Sequence, residues 1–222
     1  MRRALQDNSL SIVFGLLLLA TLAGQSFVGL AGYNEQARTD GLAEISWGRY
    51  VTSSSFGVDV AENWQSEYLQ FTLYILLTVW LVQRGSSESK KPEDAGFRSA
   101  EEERIGEFAD ADSPSTASAG GWVTKLYSAS LTLVMATIFL LSWAAQGVAG
   151  RVAYNEERLR DLLDPLPLGA YLVSPDFWDR TLQNWQSELL AVGSMAIFAV
   201  FLRQRGSPES KPVGAPHSET PG

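Results

Sequence analysis

Four apolar stretches, separated by strongly polar segments, constrain this chain more than any other feature. They are LSIVFGLLLLATLAGQSFVGLAG from Leu10, LQFTLYILLTVWLV from Leu69, LTLVMATIFLLSWAAQGVAG from Leu131 and LLAVGSMAIFAVFL from Leu189. The most polar stretch, Pro92–Gly121, lies between the second and third. A mean hydropathy of -0.02 therefore averages two unlike populations. Such alternation predicts membrane spans joined by water-exposed segments.

The second constraint is internal. Shifted by 121 positions, the chain superposes on itself without a gap, with 32 identities over the 86 positions of Leu5–Lys90 against Leu126–Lys211. YNE at Tyr33–Glu35 meets YNE at Tyr154–Glu156, and NWQSE at Asn63–Glu67 meets NWQSE at Asn184–Glu188. QRGSSESK from Gln83 meets QRGSPESK from Gln204. This density reads as tandem duplication. Residues 1–91 and 122–212 are then two copies of a two-span unit. Residues 92–121 form an acidic linker, and 213–222 a tail. Linker and tail are too poor in apolar surface to offset their ordering entropy and are expected to be disordered, with a short helix around AEEERIGEFA. The fold class expected is an all-α integral membrane protein: four transmembrane helices as two tandem parallel-repeat hairpins.

Local signals place the helices. Ser174 is an N-cap with Pro175 at the first helical position and Asp176 against the helix dipole. Gly85 and Gly206 are expected as left-handed residues just past the second helix of each copy, after Arg84 and Arg205. Counting ~20 residues back from Arg205 across the hydrocarbon reaches Trp185, so NWQSE marks entry into the bilayer. The connecting loops are expected to pack as caps, with Trp47, Tyr50, Tyr171 and Trp178 as interfacial anchors. Nine basic residues flank one side (Arg2, Arg3, Arg84, Lys90, Lys91, Lys125, Arg203, Arg205, Lys211) and six the other (Arg38, Arg49, Arg151, Arg158, Arg160, Arg180). That bias favours cytoplasmic termini and a cytoplasmic linker. The basic, apolar start Met1–Gly24 also fits a signal peptide, but its counterpart Leu126–Gly150 is internal and argues for a span.

Polar residues inside the spans mark the candidate site. A carboxylate at mid-span costs roughly 2.5–3.5 kcal/mol and less near the interface. Glu67 and Glu188 lie about one turn below their tryptophans. Gln25 and Gln146 sit on stripes with Gly29, Tyr33, Gly150 and Tyr154 at four-residue spacing. Gln25, Ser66 and Glu67 are expected to form an intramembrane network, with Gln146, Ser187 and Glu188 as its twin. Tyr33, Asn34, Glu35, Asn63 and Trp64, and equally Tyr154, Asn155, Glu156, Asn184 and Trp185, form the outer rim. Structural glue between helices and coordination of a cation or proton by the carboxylates are the two readings of this network, the former preferred.

Composition removes other classes. Seventeen Lys+Arg against 25 Asp+Glu give a net charge of -8, which argues against nucleic acid as a partner. There is no cysteine, and the single histidine, His217, lies in the tail. No catalytic residue, cofactor or metal site is expected, and no enzyme.

YNE, ENWQSEYLQ and QRGSSESK together resemble a bacterial family of small membrane proteins, domain of unknown function 6766. The resemblance spans both halves apart from linker and tail. The second copy departs at QNWQSELLA, losing the counterparts of Glu62 and Gln70. The resemblance implies the four-span architecture and a bacterial inner-membrane location, and no reaction. The function expected is a non-catalytic accessory or scaffold component, with the lipid bilayer and itself or a larger membrane complex as partners. The alternative is a small cation or proton channel or transporter using the paired glutamates.

Overall fold

The computed structural model describes residues 2–221. The side chains of Arg2, Arg3 and Ala4 fall outside that set, as does Gly222 at the end of the tail, so two residues of the charge bias are not placed. The described residues fold as α1 (Arg2–Asp7), α2 (Ser9–Thr39), α3 (Trp47–Val51), α4 (Ser54–Trp80), α5 (Ser115–Ser118), α6 (Gly121–Ser128), α7 (Ser130–Arg160), α8 (Leu168–Tyr171) and α9 (Pro175–Phe201). No strand occurs among them. The bounds of α2 and α7 coincide under the shift of 121, as do those of α4 and α9.

The starts of α4 and α9 follow from one residue type. Ser174 Oγ accepts from the Phe177 amide at 3.3 Å, and Ser53 Oγ accepts from the Phe56 amide at 3.3 Å. The ends differ from expectation. Both helices stop four residues early, at Trp80 and Phe201, rather than running to Arg84 and Arg205. Downstream serines capture the next amides: Gln83 N–H donates to Ser89 Oγ, and Gln204 N–H to Ser210 Oγ, each at 2.8 Å. Gly85 and Gly206 do take positive φ, +87° and +85°. They do so inside turns closed by Ser86 N–H to Gln83 O and Ser207 N–H to Gln204 O, not as helix caps.

Nor does the linker form the expected helix around residues 100–109. A single 3₁₀ turn, Gly106–Phe108, stands there. Its first residues lie along the end of α4: Gly96 N–H donates to Val79 O at 2.6 Å, and Phe97 meets Trp80 edge-on at 5.1 Å. Residues 213–221 turn back in the same way. Lys211 is 2% exposed, its ammonium donates to the carbonyls of Pro216, His217 and Glu219, and Gly85 N–H donates to Thr220 Oγ1 at 2.7 Å.

The chain divides into two units. The first comprises residues up to Val60 with Ala145–Leu168, the second Ala61–Ala144 with the chain from Gly169 onward. In the first unit α2 ends in a Schellman motif, Gly41 N–H to Arg38 O and Leu42 N–H to Ala37 O. The end of α7 repeats it with Leu162 N–H to Leu159 O and Leu163 N–H to Arg158 O. Gly41 suits its φ of +70°, whereas Leu162 is held at +58° with its side chain 93% exposed. A left-handed leucine costs roughly 1–2 kcal/mol, so Leu162→Gly is expected to raise stability by about 1 kcal/mol after the entropy of glycine is counted. Thermal unfolding in detergent measures it.

Immediately beyond each motif, one asparagine holds the returning loop. Asn34 Nδ2 donates to Ile45 O while its Oδ1 accepts from Ile45 N–H. Asn155 does the same with Leu166. Each pair replaces a strand-like contact for a segment that has no strand to join. Asn34→Ala and Asn155→Ala are each expected to cost ~1–3 kcal/mol, since both ends of a peptide unit lose their partner. Faster proteolysis of residues 40–46 or 161–167 in the respective variant checks this.

Two of the four expected aromatic anchors are interior. Tyr50 is 3% exposed, against Tyr33 and Phe56 at 5.8 and 5.6 Å and the open face of Gly29. Tyr171 is fully buried. Their phenol rings are packed in place of facing an interface, while Trp47 and Trp178 stay partly exposed.

Candidate functional site

In the second unit, α4 and α9 carry the two NWQSE segments, and the segments meet each other. Gln65 is fully buried, and its Oε1 accepts from Trp185 Nε1 at 2.7 Å. The Glu188 carboxylate interacts with the hydroxyls of Ser66 and Ser187 and lies in Coulombic range of Glu67. Ser66 is buried, Glu188 half-buried, and Glu67 and Ser187 exposed. Each serine also donates to the carbonyl three residues back, Ser66 to Asn63 O and Ser187 to Asn184 O. The serines thus tie each pentapeptide to its own backbone, while Gln65, Trp185 and Glu188 reach across to the other helix.

Four of the six expected network residues are therefore brought together: Ser66, Glu67, Ser187 and Glu188. The pairing runs between the halves, not within each. Gln25 and Gln146 belong to the first unit, where Gln25 is half-buried and Gln146 fully buried. Of the rim, Asn34 and Asn155 are the loop fasteners described above, and Asn184 Nδ2 donates to Arg180 O. Tyr33 packs on Tyr50, with the Arg160 guanidinium 6.0 Å from its ring; Arg158 stands over Tyr154 in the same way at 5.9 Å. Glu35 and Asn63 are exposed and Glu156 is half-buried.

The two tryptophans have parted company. Trp64 is 43% exposed, as an interfacial residue would be. Trp185 is packed against Trp143 at 5.8 Å and Phe139 at 6.3 Å. Trp143 is the hub of this cluster, also meeting Phe177 and Trp178 and placing Nε1 3.4 Å from Thr181 Oγ1.

Above the pentapeptides lies an ion cluster. Arg180 Nη1 is 3.1 Å from Glu62 Oε1 and its Nε is 3.3 Å from Asp176 Oδ1, while Tyr171 Oη donates to Asp176 Oδ2 at 3.0 Å. Burial alone would ease the proton off Arg180, but the two carboxylates more than reverse this and hold it firmly charged. Burial, then the Asp176 carboxylate, push the Tyr171 phenol above its ordinary value of 10.0; burial and Asp59 push Tyr50 in the same direction. The folded state thus keeps protons that the unfolded chain releases near pH 10. The contribution of these two tyrosines to stability is fully present below that pH and falls as pH rises beyond it. Unfolding temperature followed through pH 10 is expected to drop, and less steeply in Tyr171→Phe.

Sequence reasoning passed over Gln65, Glu62, Arg180 and Trp143. The opposite charges of Glu62 and Arg180, each just ahead of a pentapeptide, were the available signal. For Gln65 and Trp143 no local signal exists, since their importance depends on which face of α4 meets α9.

Chemically, the arrangement offers neutral amide–indole and hydroxyl–carboxylate pairing between two helices, with one pair of carboxylates in mutual range. No curated protein and no solved structure matches the chain. One family model does, that of the Domain of unknown function DUF6766, over residues 1–222. From its first residue to its last, this chain belongs to that family.

Proposed function

We propose that this is a bacterial inner-membrane protein with four spans, α2, α4, α7 and α9, formed as two tandem hairpins by duplication, with both termini and the linker cytoplasmic. It serves as a non-catalytic accessory or scaffold component that packs against itself or a larger membrane complex.

The observation carrying this reading is the uncovered apolar surface of α2 and α7. These are the two described helices long and apolar enough to cross a membrane, and only 6% and 17% of their most apolar windows are buried. A core helix of a water-soluble protein is mostly buried, and an apolar surface this extensive needs lipid or a partner. In α2, Phe14 and Leu19 are 64% and 65% exposed. The apolar parts of α4 and α9, Trp64–Trp80 and Trp185–Phe201, run for 17 residues each, about 25 Å and the short end of the spanning range. The polar residues of NWQSE bond to one another and to backbone, which suits helix association at up to ~2 kcal/mol per bond.

A chain without cysteine is suited to labelling with a membrane-impermeant maleimide. With four spans, Glu44→Cys reacts in intact spheroplasts and Ser99→Cys only in inverted vesicles. External labelling of Ser99→Cys would leave α2 and α7 as the only spans and sink the four-span reading. Gentle solubilisation followed by native mass measurement tests the role: a stoichiometric larger complex is expected. The proximity of Glu67 and Glu188 favours one second reading, a cation or proton pathway, because carboxylates in mutual range share a proton or take a cation. Ion flux in liposomes from the isolated protein, lost with Gln at both positions, would establish it instead.

A further inference from the structure

Below the paired pentapeptides, α4 and α9 leave an elongated cleft of about 240 Å³. Its walls are aliphatic, with Leu73, Leu77 and Leu81 on one side and Leu189, Val192 and Ala196 on the other. The mouth of the cleft is different. After α4 the chain doubles back, and the Glu88 carboxylate accepts the Tyr74 hydroxyl at 2.6 Å. Glu209, its counterpart 121 residues on, is exposed at an adjoining cavity that shares Gln70, Tyr74, Glu88 and Val192 with the cleft, and Ser87 Oγ donates to its carbonyl at 2.8 Å. One turn from Tyr74 along the same face of α4, Gln70 Oε1 is buried in the wall with no donor.

These groups share one deficiency. Neither Glu88 nor Glu209 has an ion pair among the described residues. A buried acceptor without a donor is costly, and a half-buried carboxylate beside apolar walls, as Glu88 is, gains from a counter-ion. The cleft has acceptors in excess, negative charge at one end and hydrocarbon along its length. An anionic amphiphile would be repelled at the mouth, and a bare metal ion would leave the aliphatic walls uncovered. We propose that this cleft binds a cationic amphiphile, its alkyl chain lying between α4 and α9 and its ammonium group at Glu88 and Glu209. The site is asymmetric, because Ala191 and Met195 stand where Gln70 and Tyr74 stand in the other half. It needs only the α4–α9 pair and is independent of any role as an accessory component.

The full chain in phosphatidylcholine nanodiscs is titrated calorimetrically with decyltrimethylammonium and, separately, with decyl sulfate. Saturable binding of the cation alone is expected, weakened at least tenfold in Glu88→Gln/Glu209→Gln, where the amide oxygen still accepts from Tyr74 and the fold is kept. Leu77→Trp, which fills the cleft without touching the charges, is expected to weaken it likewise. Displacement of the cation when phosphatidylethanolamine is included assigns the site to a bilayer amine headgroup; undiminished binding assigns it to a free amphiphile. Equal binding of both probes, no saturable binding of the cation, or a double variant that binds as the parent does would overturn the proposal.

Discussion

Trp185→Ala is expected to destabilise the protein by about 3 kcal/mol, whereas Trp64→Ala, at the matching position of the other pentapeptide, is expected to cost less than ~1 kcal/mol. The side chains are identical and their neighbours are not. Trp185 loses contact with Trp143 and Phe139, and its removal strips Gln65 Oε1 of its donor. Gln65 Nε2 already has no partner, so the amide would be left buried and unsatisfied at both ends. Trp64 gives up a partly exposed surface and no hydrogen bond. Trp185→Phe separates the two contributions: ring packing is kept and the amide pairing lost, for an intermediate cost of ~1–2 kcal/mol. Thermal unfolding of the four proteins in one detergent decides the matter. Equal losses at positions 64 and 185 would show that the asymmetry has no energetic weight.

The second large effect belongs to Arg180→Met. The methionine keeps much of the arginine stem's packing and removes the charge. Glu62, whose side chain is 13% exposed, then loses the guanidinium 3.1 Å from its Oε1. Removing one partner of a buried pair costs ~3–5 kcal/mol. Since the Arg180 side chain is 37% exposed, water recovers part of this, and about 2–3 kcal/mol is expected. Glu62→Leu in the same chain should restore most of the loss, because the remaining Asp176 keeps the Tyr171 hydroxyl. A double-mutant cycle gives the coupling directly. A double variant no more stable than Arg180→Met would mean that the arginine acts through packing alone.

These two cases also show what can be read in the chain before folding. The capping serine, Pro175 and Asp176 are local devices, and α9 begins where they put it. The helix ends are not legible locally, because Ser89 and Ser210 reach back six residues to take the amides of Gln83 and Gln204, a choice set by the folded loop. Within NWQSE, the carboxylate drew attention on grounds of cost in a membrane, while the buried residue is the neutral Gln65. Helical rotation decides this: Gln65 and Ser66 are buried toward α9, and Glu67, beside them, stays exposed within Coulombic range of Glu188. Likewise Tyr50 and Tyr171 carry the amphipathic character of interfacial anchors, and only the close approach permitted by Gly29 reveals that Tyr50 is packed inside. Asn34 and Asn155 were visible as a recurring triplet; that each holds a loop eleven residues away was not.

The division of the chain has a practical meaning. Its units do not follow the halves, since each combines sequence from both sides of the linker. A gene split inside the linker would therefore encode two polypeptides, neither holding a complete unit. Made separately, they have nothing whole to fold into. Made together, they are expected to complete both units only by associating.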